Sequence, residues 1–237
     1  MRFIQLTDLH LRDPAGSDVA RRHAEYISDG LRAAGDRFGD AACCVITGDL
    51  TDRGEEAAYH WLKEQVEALP FPVLTLLGNH DDRATYLRVF GGADAAGFVQ
   101  SVFCRDAIRL ITLDTYAPGT DAGKLCEARL TWLRAQLSEA AETPTLLFMH
   151  HPPCEIGDVV LDQIRLDNSE QFHAVIGDFP SVRHVFFGHV HRDLFINMPH
   201  MSLSSLDCPR QTSDEGGLPV GVIDFVDGDL RLSRVTV

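Results

Sequence analysis

Five short apolar runs in this chain stop on a residue able to bind a cation, and no other feature restricts the fold as strongly. Phe3–Leu6 leads into Asp8 and His10, and Ala42–Thr47 leads through Gly48 into Asp49. Pro72–Leu77 leads through Gly78 into Asn79, Thr145–Met149 into His150, and His184–Phe187 through Gly188 into His189 and His191. Runs of this length, rich in Val, Ile, Leu and Phe and closed by a polar turn, read as buried strands. Between the first three lie helical segments. One covers about residues 17–34 with Ser17 as N-cap. The next carries Ala58, Leu62, Val66 and Leu69 at helical spacing and is closed by Pro70, and a short one reaches Phe90. Strand, helix, strand, helix, strand predicts a parallel sheet covered by helices. In such sheets the ligand crevice lies at the carboxyl ends of the strands, which is where Asp8, His10, Asp49 and Asn79 fall.

The second half predicts an antiparallel pair over residues 98–104 and 107–114. A helix over 127–141 follows, with Leu130, Leu133 and Leu137 on one face. Further strands are expected near 194–197, 201–206, 220–226 and 230–237, the last two joined by a hairpin at Asp227-Gly228. The fold class is α/β. No Ser/Gly tract, charge block or repeat interrupts the 237 residues, so one domain spanning 1–237 is expected.

The formal net charge of −14 disfavours a groove for long nucleic acid. A small anionic substrate is compatible with it if bound metal supplies positive charge. No apolar run is long enough to span a bilayer and no signal-peptide core precedes the first strand. The six cysteines form no CxxC pair or disulfide framework, which suits a reducing cytoplasm.

Collected, the strand-end residues are oxygen and imidazole donors without thiolates, a set suited to Mn, Fe, Zn or Co. Seven donors exceed one four-coordinate ion, and two ions sharing a carboxylate fit the number. Each motif has an ordinary alternative. Asp8 and Asp49 could be helix caps, and His189 and His191 could be half-buried strand-edge histidines. His150 and His151 are adjacent and point to opposite faces of a strand, so one of them binds metal.

The series Asp8-Leu9-His10, Gly48-Asp49-Leu50-Thr51-Asp52, Gly78-Asn79-His80-Asp81, His150-His151-Pro152-Pro153 and Gly188-His189-Val190-His191 resembles the calcineurin-like metallophosphoesterase superfamily. Asn79-His80-Asp81-Asp82-Arg83 and Met149-His150-His151-Pro152-Pro153 resemble the bacterial class III cyclic nucleotide phosphodiesterases and glycerophosphodiesterases in particular. The protein Ser/Thr phosphatases share the Gly48–Gly54 motif but carry Arg and Glu where this chain has Leu77 and Asp81. The resemblance implies a four-layer sandwich, two mixed β-sheets flanked by helices. It implies that Asp8, His10, Asp49 and His191 hold one metal and that Asp49, Asn79, His150 and His189 hold the other. It implies that His80 faces the substrate and stabilises or protonates the leaving oxygen, with Asp81 orienting it through a hydrogen bond.

That chemistry suits phosphodiester hydrolysis. Two close ions neutralise phosphoryl oxygens and lower the pKa of a bound water so that hydroxide attacks in line. An imidazole near the leaving group donates a proton near neutral pH. Asp52, Arg53, Arg83 and His151 are candidate substrate contacts. For Asp52 the alternative is a helix cap, and for the two arginines a surface ion pair. Pocket walls are expected from residues 12–22, 114–126 and 152–170, and from 202–211. His23, His60, His173, His184 and His200 are read as ordinary surface or core residues. The leading function is a dinuclear-metal phosphodiesterase acting on a small substrate, a cyclic nucleotide or glycerophosphodiester, with a homodimer as an open possibility. A nuclease or broad phosphomonoesterase of the same superfamily is the alternative, and a non-catalytic scaffold the third reading.

Overall fold

The computed structural model describes residues 1–199, 201–209 and 216–237. His200 and the Arg210–Gln211 end of one proposed pocket wall lie outside them. The first half runs β1 (Arg2–Leu6), α1 (Asp18–Arg37), β2 (Cys44–Thr47), α2 (Glu56–Glu67), β3 (Val73–Leu76) and α3 (Arg83–Val89). The chain continues through β4 (Ser101–Arg105), β5 (Ile108–Thr112), α4 (Glu127–Glu139), β6 (Thr145–Phe148), α5 (Ser169–Ile176) and β7 (Val182–Phe187). It closes with β8 (Leu194–Asn197), β9 (Ser202–Ser205), β10 (Pro219–Val226) and β11 (Asp229–Thr236). Helix starts follow local chemistry: Ser17 accepts a hydrogen bond from the Ala20 amide, and Asp82 accepts one from Thr85 at the start of α3.

One sheet has the order β11-β10-β1-β2-β3 and the other β4-β5-β6-β7-β9-β8. Strands β1, β2 and β3 are parallel, as are β5, β6, β7 and β9, while β4, β8, β10 and β11 pair antiparallel. Both sheets are therefore mixed. The β10–β11 hairpin turns through Asp227 and Gly228, both at positive φ, as the dipeptide predicts.

Successive strand residues point to opposite faces, and this alternation builds four layers. Phe3, Val45 and Leu76 meet Leu110, Leu146, Phe148 and Phe186 between the sheets. Their neighbours Ile4 and Ile46 pack outward with Ile27, Leu31 and Leu62 of the helices. Ile111 and Leu147 do the same with Leu133, Leu137 and Phe172 on the far side. Strands β1, β2, β5, β6 and β7 are covered on both faces, which is why their runs are continuously apolar. Full burial of such side chains contributes roughly 1.5–3 kcal/mol each, and the sandwich holds the carboxyl ends of both parallel sets at one rim.

Candidate metal centre

The ligand loops are extensions of the sheets. The Asp8 amide donates to the Gly48 carbonyl at 3.0 Å and the His10 amide to the Asp49 carbonyl at 2.9 Å. A parallel bridge then joins Leu11 to Thr51. In the second sheet the Gly188 amide donates to the His150 carbonyl at 3.0 Å. The sheets are tied together at this rim, because the His189 amide donates to Asp8 Oδ1 at 3.0 Å and His150 Nδ1 donates to the Thr47 carbonyl at 2.8 Å.

Backbone geometry marks the same residues. Asp8, His10, Asp49, His189 and His191 have φ of 53°, 45°, 46°, 70° and 50°. The other described non-glycine residues with positive φ are Asp106 and Asp227, both in hairpin turns. Left-handed backbone costs an L-residue roughly 1–2 kcal/mol, so five such positions at one rim indicate a functional constraint. The glycines before the ligands have a steric cause. A Cβ on Gly48, itself at φ 87°, would lie 2.5 Å from His150 Nδ1, and one on Gly188 would lie 2.3 Å from Thr7 Oγ1.

Two groups of donor atoms result. In the first, Asp8, His10, Asp49 and His191 each place an atom within 4.8 Å of the others. His10 Nε2 is 3.0 Å from His191 Nε2, and His191 Nε2 is 3.3 Å from Asp8 Oδ1. In the second, His150 Nε2 is 3.1 Å from Asn79 Oδ1, 3.3 Å from His189 Nδ1 and 3.4 Å from Asp49 Oδ2. Asp49 Oδ2 is also 3.6 Å from His10 Nε2, so one carboxylate oxygen faces both groups.

The donor set fits divalent cations. The Thr47 carbonyl can only accept, so His150 carries its proton on Nδ1 and presents Nε2 as a lone pair. That lone pair faces the Asn79 oxygen, a carboxylate oxygen and a second imidazole nitrogen. Acceptors spaced about 3 Å apart are what an ion with bonds near 2.1 Å requires of neighbouring ligands. His189 Nε2 and His10 Nδ1 are buried without a hydrogen-bond partner.

Electrostatics agree. Burial disfavours ionised Asp8, but its hydrogen bond to His191 and the His150 charge outweigh it and lower its pKa. Asp49 is likewise held low against burial by His150 and His10. For His150, burial opposes protonation, and Asp49 and Asp8 overcome it, pushing it up to about 9. Hydrogen bonding to Asp8 takes His191 up to about 11. Burial and the neighbouring His150 push His189 down to about 4. Asp8 and Asp49 are thus buried as ionised carboxylates, the negative charge that favours a cation, and a bound ion would take the place of the protons that His150 and His191 otherwise hold there.

His80 lies at the mouth, with its side chain 42% exposed. Its amide donates to Asp49 Oδ1 and its Nδ1 to the Asp52 backbone carbonyl, both at 2.9 Å. Nε2 is therefore the nitrogen left for substrate. The expected bond from Asp81 to His80 is not formed. Asp81 is buried and accepts from the amides of Leu50, Thr51 and Gly78, from Thr51 Oγ1 and from the Tyr59 hydroxyl. The amide donors come from both ligand loops, so Asp81 ties the Asp49 and Asn79 loops together, and Tyr59 anchors it to α2.

The other sequence candidates divide. Asp52 faces the site: its carboxylate is 2.9 Å from Arg12 Nε and 3.8 Å from His10 Nδ1. It does not cap α2, whose N-cap position is Glu55. Arg53, 74% exposed, lies 3.4 Å from Asp52 and stays at the mouth. Arg83 is instead held by Asp114 at 2.7 and 2.8 Å and by the Tyr116 carbonyl, which corrects its reading as a substrate contact. His151 is also corrected. It is fully buried, with Nδ1 bonded to Thr115 Oγ1 at 2.8 Å and Nε2 to the Asp121 carbonyl at 3.1 Å. Both nitrogens are used in holding the 114–126 loop.

Sequence reasoning did not find Thr7, whose hydroxyl donates to Asp8 Oδ2 at 2.5 Å, or Tyr59 beneath Asp81. Adjacency to Asp8 was the one available signal for Thr7, and Tyr59 had none beyond its helical face. Of the ordinary histidines, His60 is exposed beside Glu56, His173 bonds the Pro153 carbonyl and His184 bonds Ser204 Oγ. Broad clefts lie elsewhere, such as one of about 790 Å³ lined by Met1, Asp40 and Phe103, and contain none of the seven donors.

Residues 1–193 match the model of the calcineurin-like phosphoesterase family. The chain belongs to that family. A probable cyclic nucleotide phosphodiesterase of Rhodopseudomonas palustris is 38% identical over 199 residues, covering 82% of this chain and 73% of the relative. The glycerophosphodiester phosphodiesterase GpdQ of Enterobacter lignolyticus is 31% identical, covering 81% and 71%. The 3′,5′-cyclic adenosine monophosphate phosphodiesterase CpdA of Escherichia coli K12 is 30% identical, covering 82% and 70%. Among solved structures, a dimetal phosphatase from Danio rerio superposes with a TM-score of 0.80 at 16% identity, covering 99% of this chain and 95% of that one. This last likeness concerns the fold. Among the described residues, no helix is long and apolar enough to cross a membrane.

Proposed function

We propose that the protein hydrolyses small phosphodiesters of the cyclic nucleotide or glycerophosphodiester type at a dinuclear metal centre. The observation carrying this reading is the convergence of seven donor residues around one shared carboxylate, Asp49, in a family whose relatives are named phosphodiesterases. Asp8, His10, Asp49 and His191 would hold one ion, and Asp49, Asn79, His150 and His189 the other. Mn, Fe, Zn or Co suits these ligands. Bound there, the ions would supply charge neutralisation of the phosphoryl group and a nucleophile at neutral pH.

The chain does the rest. Asp49 fixes the separation of the two ligand groups. The neutral amide of Asn79 keeps negative charge at the rim down, so an anionic diester is less strongly repelled. His80, fixed at Nδ1 by the Asp52 carbonyl, presents Nε2 to the leaving oxygen and delivers its proton. Arg12 and Arg53 flank Asp52 at the mouth and set the local field for an anion on an otherwise acidic protein.

A cytoplasmic enzyme acting as one catalytic unit is part of this reading. The six cysteines, all unpaired, support a reducing compartment. A homodimer is compatible with it. The test is a substrate panel on metal-reconstituted protein, comparing cyclic AMP, a 2′,3′-cyclic nucleotide, glycerophosphocholine, a phosphomonoester and single-stranded DNA. Preference for a small diester is expected. Turnover of the monoester or the DNA well above every small diester overturns the proposal.

A further inference from the structure

The turn that carries two of the ligands is held from behind by a residue outside the donor set. Asp8 and His10 both adopt left-handed backbone, and Leu9 lies between them. The Leu9 side chain is fully buried in the apolar cluster shared with α1, so its carbonyl has no access to water. A buried carbonyl needs a donor. Neighbouring backbone amides do not supply one: those of Asp8 and His10 are themselves donors, to Gly48 and Asp49 of the adjacent loop. Among the described residues the Leu9 carbonyl receives one hydrogen bond, from His23 Nε2 at 2.8 Å.

His23 projects from α1, is 7% exposed and has no part in the hydrolytic chemistry above. Because the carbonyl can only accept, the ring carries its proton on Nε2. Burial lowers its pKa, which keeps the ring neutral.

We propose that His23 is a positioning residue for the metal centre: its Nε2–H, donated to the Leu9 carbonyl, holds the Asp8–Leu9–His10 turn in the left-handed geometry that presents both side chains to one ion. The inference rests on the dinuclear reading and adds to it a selective consequence. Asp8 and His10 belong to one donor group, whereas, among the described residues, no hydrogen bond joins His23 to the loops carrying Asn79, His150 and His189. Loss of the clamp orphans the buried carbonyl and lets two strained residues relax, so it should weaken one ion site and spare the other. Partners that orient ligands from outside the coordination sphere typically change metal affinity by about 10–100-fold.

The experiment is a two-site Mn²⁺ titration by calorimetry on the metal-free full chain, comparing wild type, His23→Phe and His23→Gln. Phenylalanine keeps the ring and removes the donor, and glutamine keeps a donor of similar reach. The expected result is two ions on wild type, about tenfold or greater weakening at one site only in His23→Phe, and near wild-type binding in His23→Gln. Wild type binding two ions with His23→Phe unchanged overturns the clamp alone. Equal weakening of both sites in His23→Phe also overturns it, because that marks general disruption. Weakening in His23→Gln overturns it even if the phenylalanine variant does not fold. A wild-type chain that binds fewer than two ions overturns the dinuclear reading itself, and the clamp with it.

Discussion

His80 Nδ1 donates to the backbone carbonyl of Asp52 at 2.9 Å, while Asp81, its neighbour in sequence, bonds elsewhere. The orientation of the proposed acid thus depends on the path of the Asp49–Asp52 loop. The two residues should fail in different ways. His80→Ala should lower kcat by about 10²–10⁴-fold with metal content near wild type, as read by elemental analysis. Asp81→Ala should lower stability by roughly 3 kcal/mol or more in urea unfolding, because it leaves several buried donors unpaired. An Asp81→Ala protein of normal stability and reduced kcat would return Asp81 to the catalytic role that its position suggested.

Asp49 is the carboxylate that faces both donor groups. Asp49→Ala should remove both ions together, whereas Asn79→Ala should weaken the group containing His150 and His189 and leave the other occupied. Metal stoichiometry after desalting distinguishes the two, and a single retained ion in Asp49→Ala contradicts the shared role.

Gly48 sits at φ 87° with His150 Nδ1 2.5 Å from where its Cβ would lie. Gly48→Ala should cost about 1–3 kcal/mol and displace the His150 ring from the Thr47 carbonyl. Metal affinity should fall along with stability. Wild-type metal binding in this variant would show that the ring tolerates the methyl group.

His184 is buried within β7, bonded to Ser204, and burial pushes it down to about 3. Its folded value lies below the unfolded one near 6.5, so folding excludes a proton that the unfolded chain binds. The contribution is fully present above pH 6.5 and is lost as pH falls toward 3. From pH 6 to 5 this single group should lower stability by roughly 1 kcal/mol per pH unit. His184→Gln, which keeps a donor for Ser204, should flatten that part of the urea stability profile. An unchanged slope would exclude His184 as its source.

Much of the sandwich was legible in sequence because its central strands, β1, β2, β5, β6 and β7, are buried on both faces. The apolar runs, the interleaved helices and the Asp227-Gly228 turn are local signals. The pairing of β1 with β10, more than two hundred residues apart in sequence, has no local signal. Neither does the order β7-β9-β8, in which the chain passes β9's place before filling it.

The sequence by itself determined which side chains could serve a metal centre, since each donor is announced by an apolar run that stops on it. Residue type and strand ends are encoded locally. The tertiary structure alone decided which neighbours hold those donors. Asp52 reaches His80 through a backbone carbonyl, His23 reaches Leu9 from a helix, and Arg83 and His151 bond to the 114–126 segment. These contacts depend on where separate segments bring their polar atoms once the sheets pack, because a buried donor or acceptor must find its partner in space rather than along the chain.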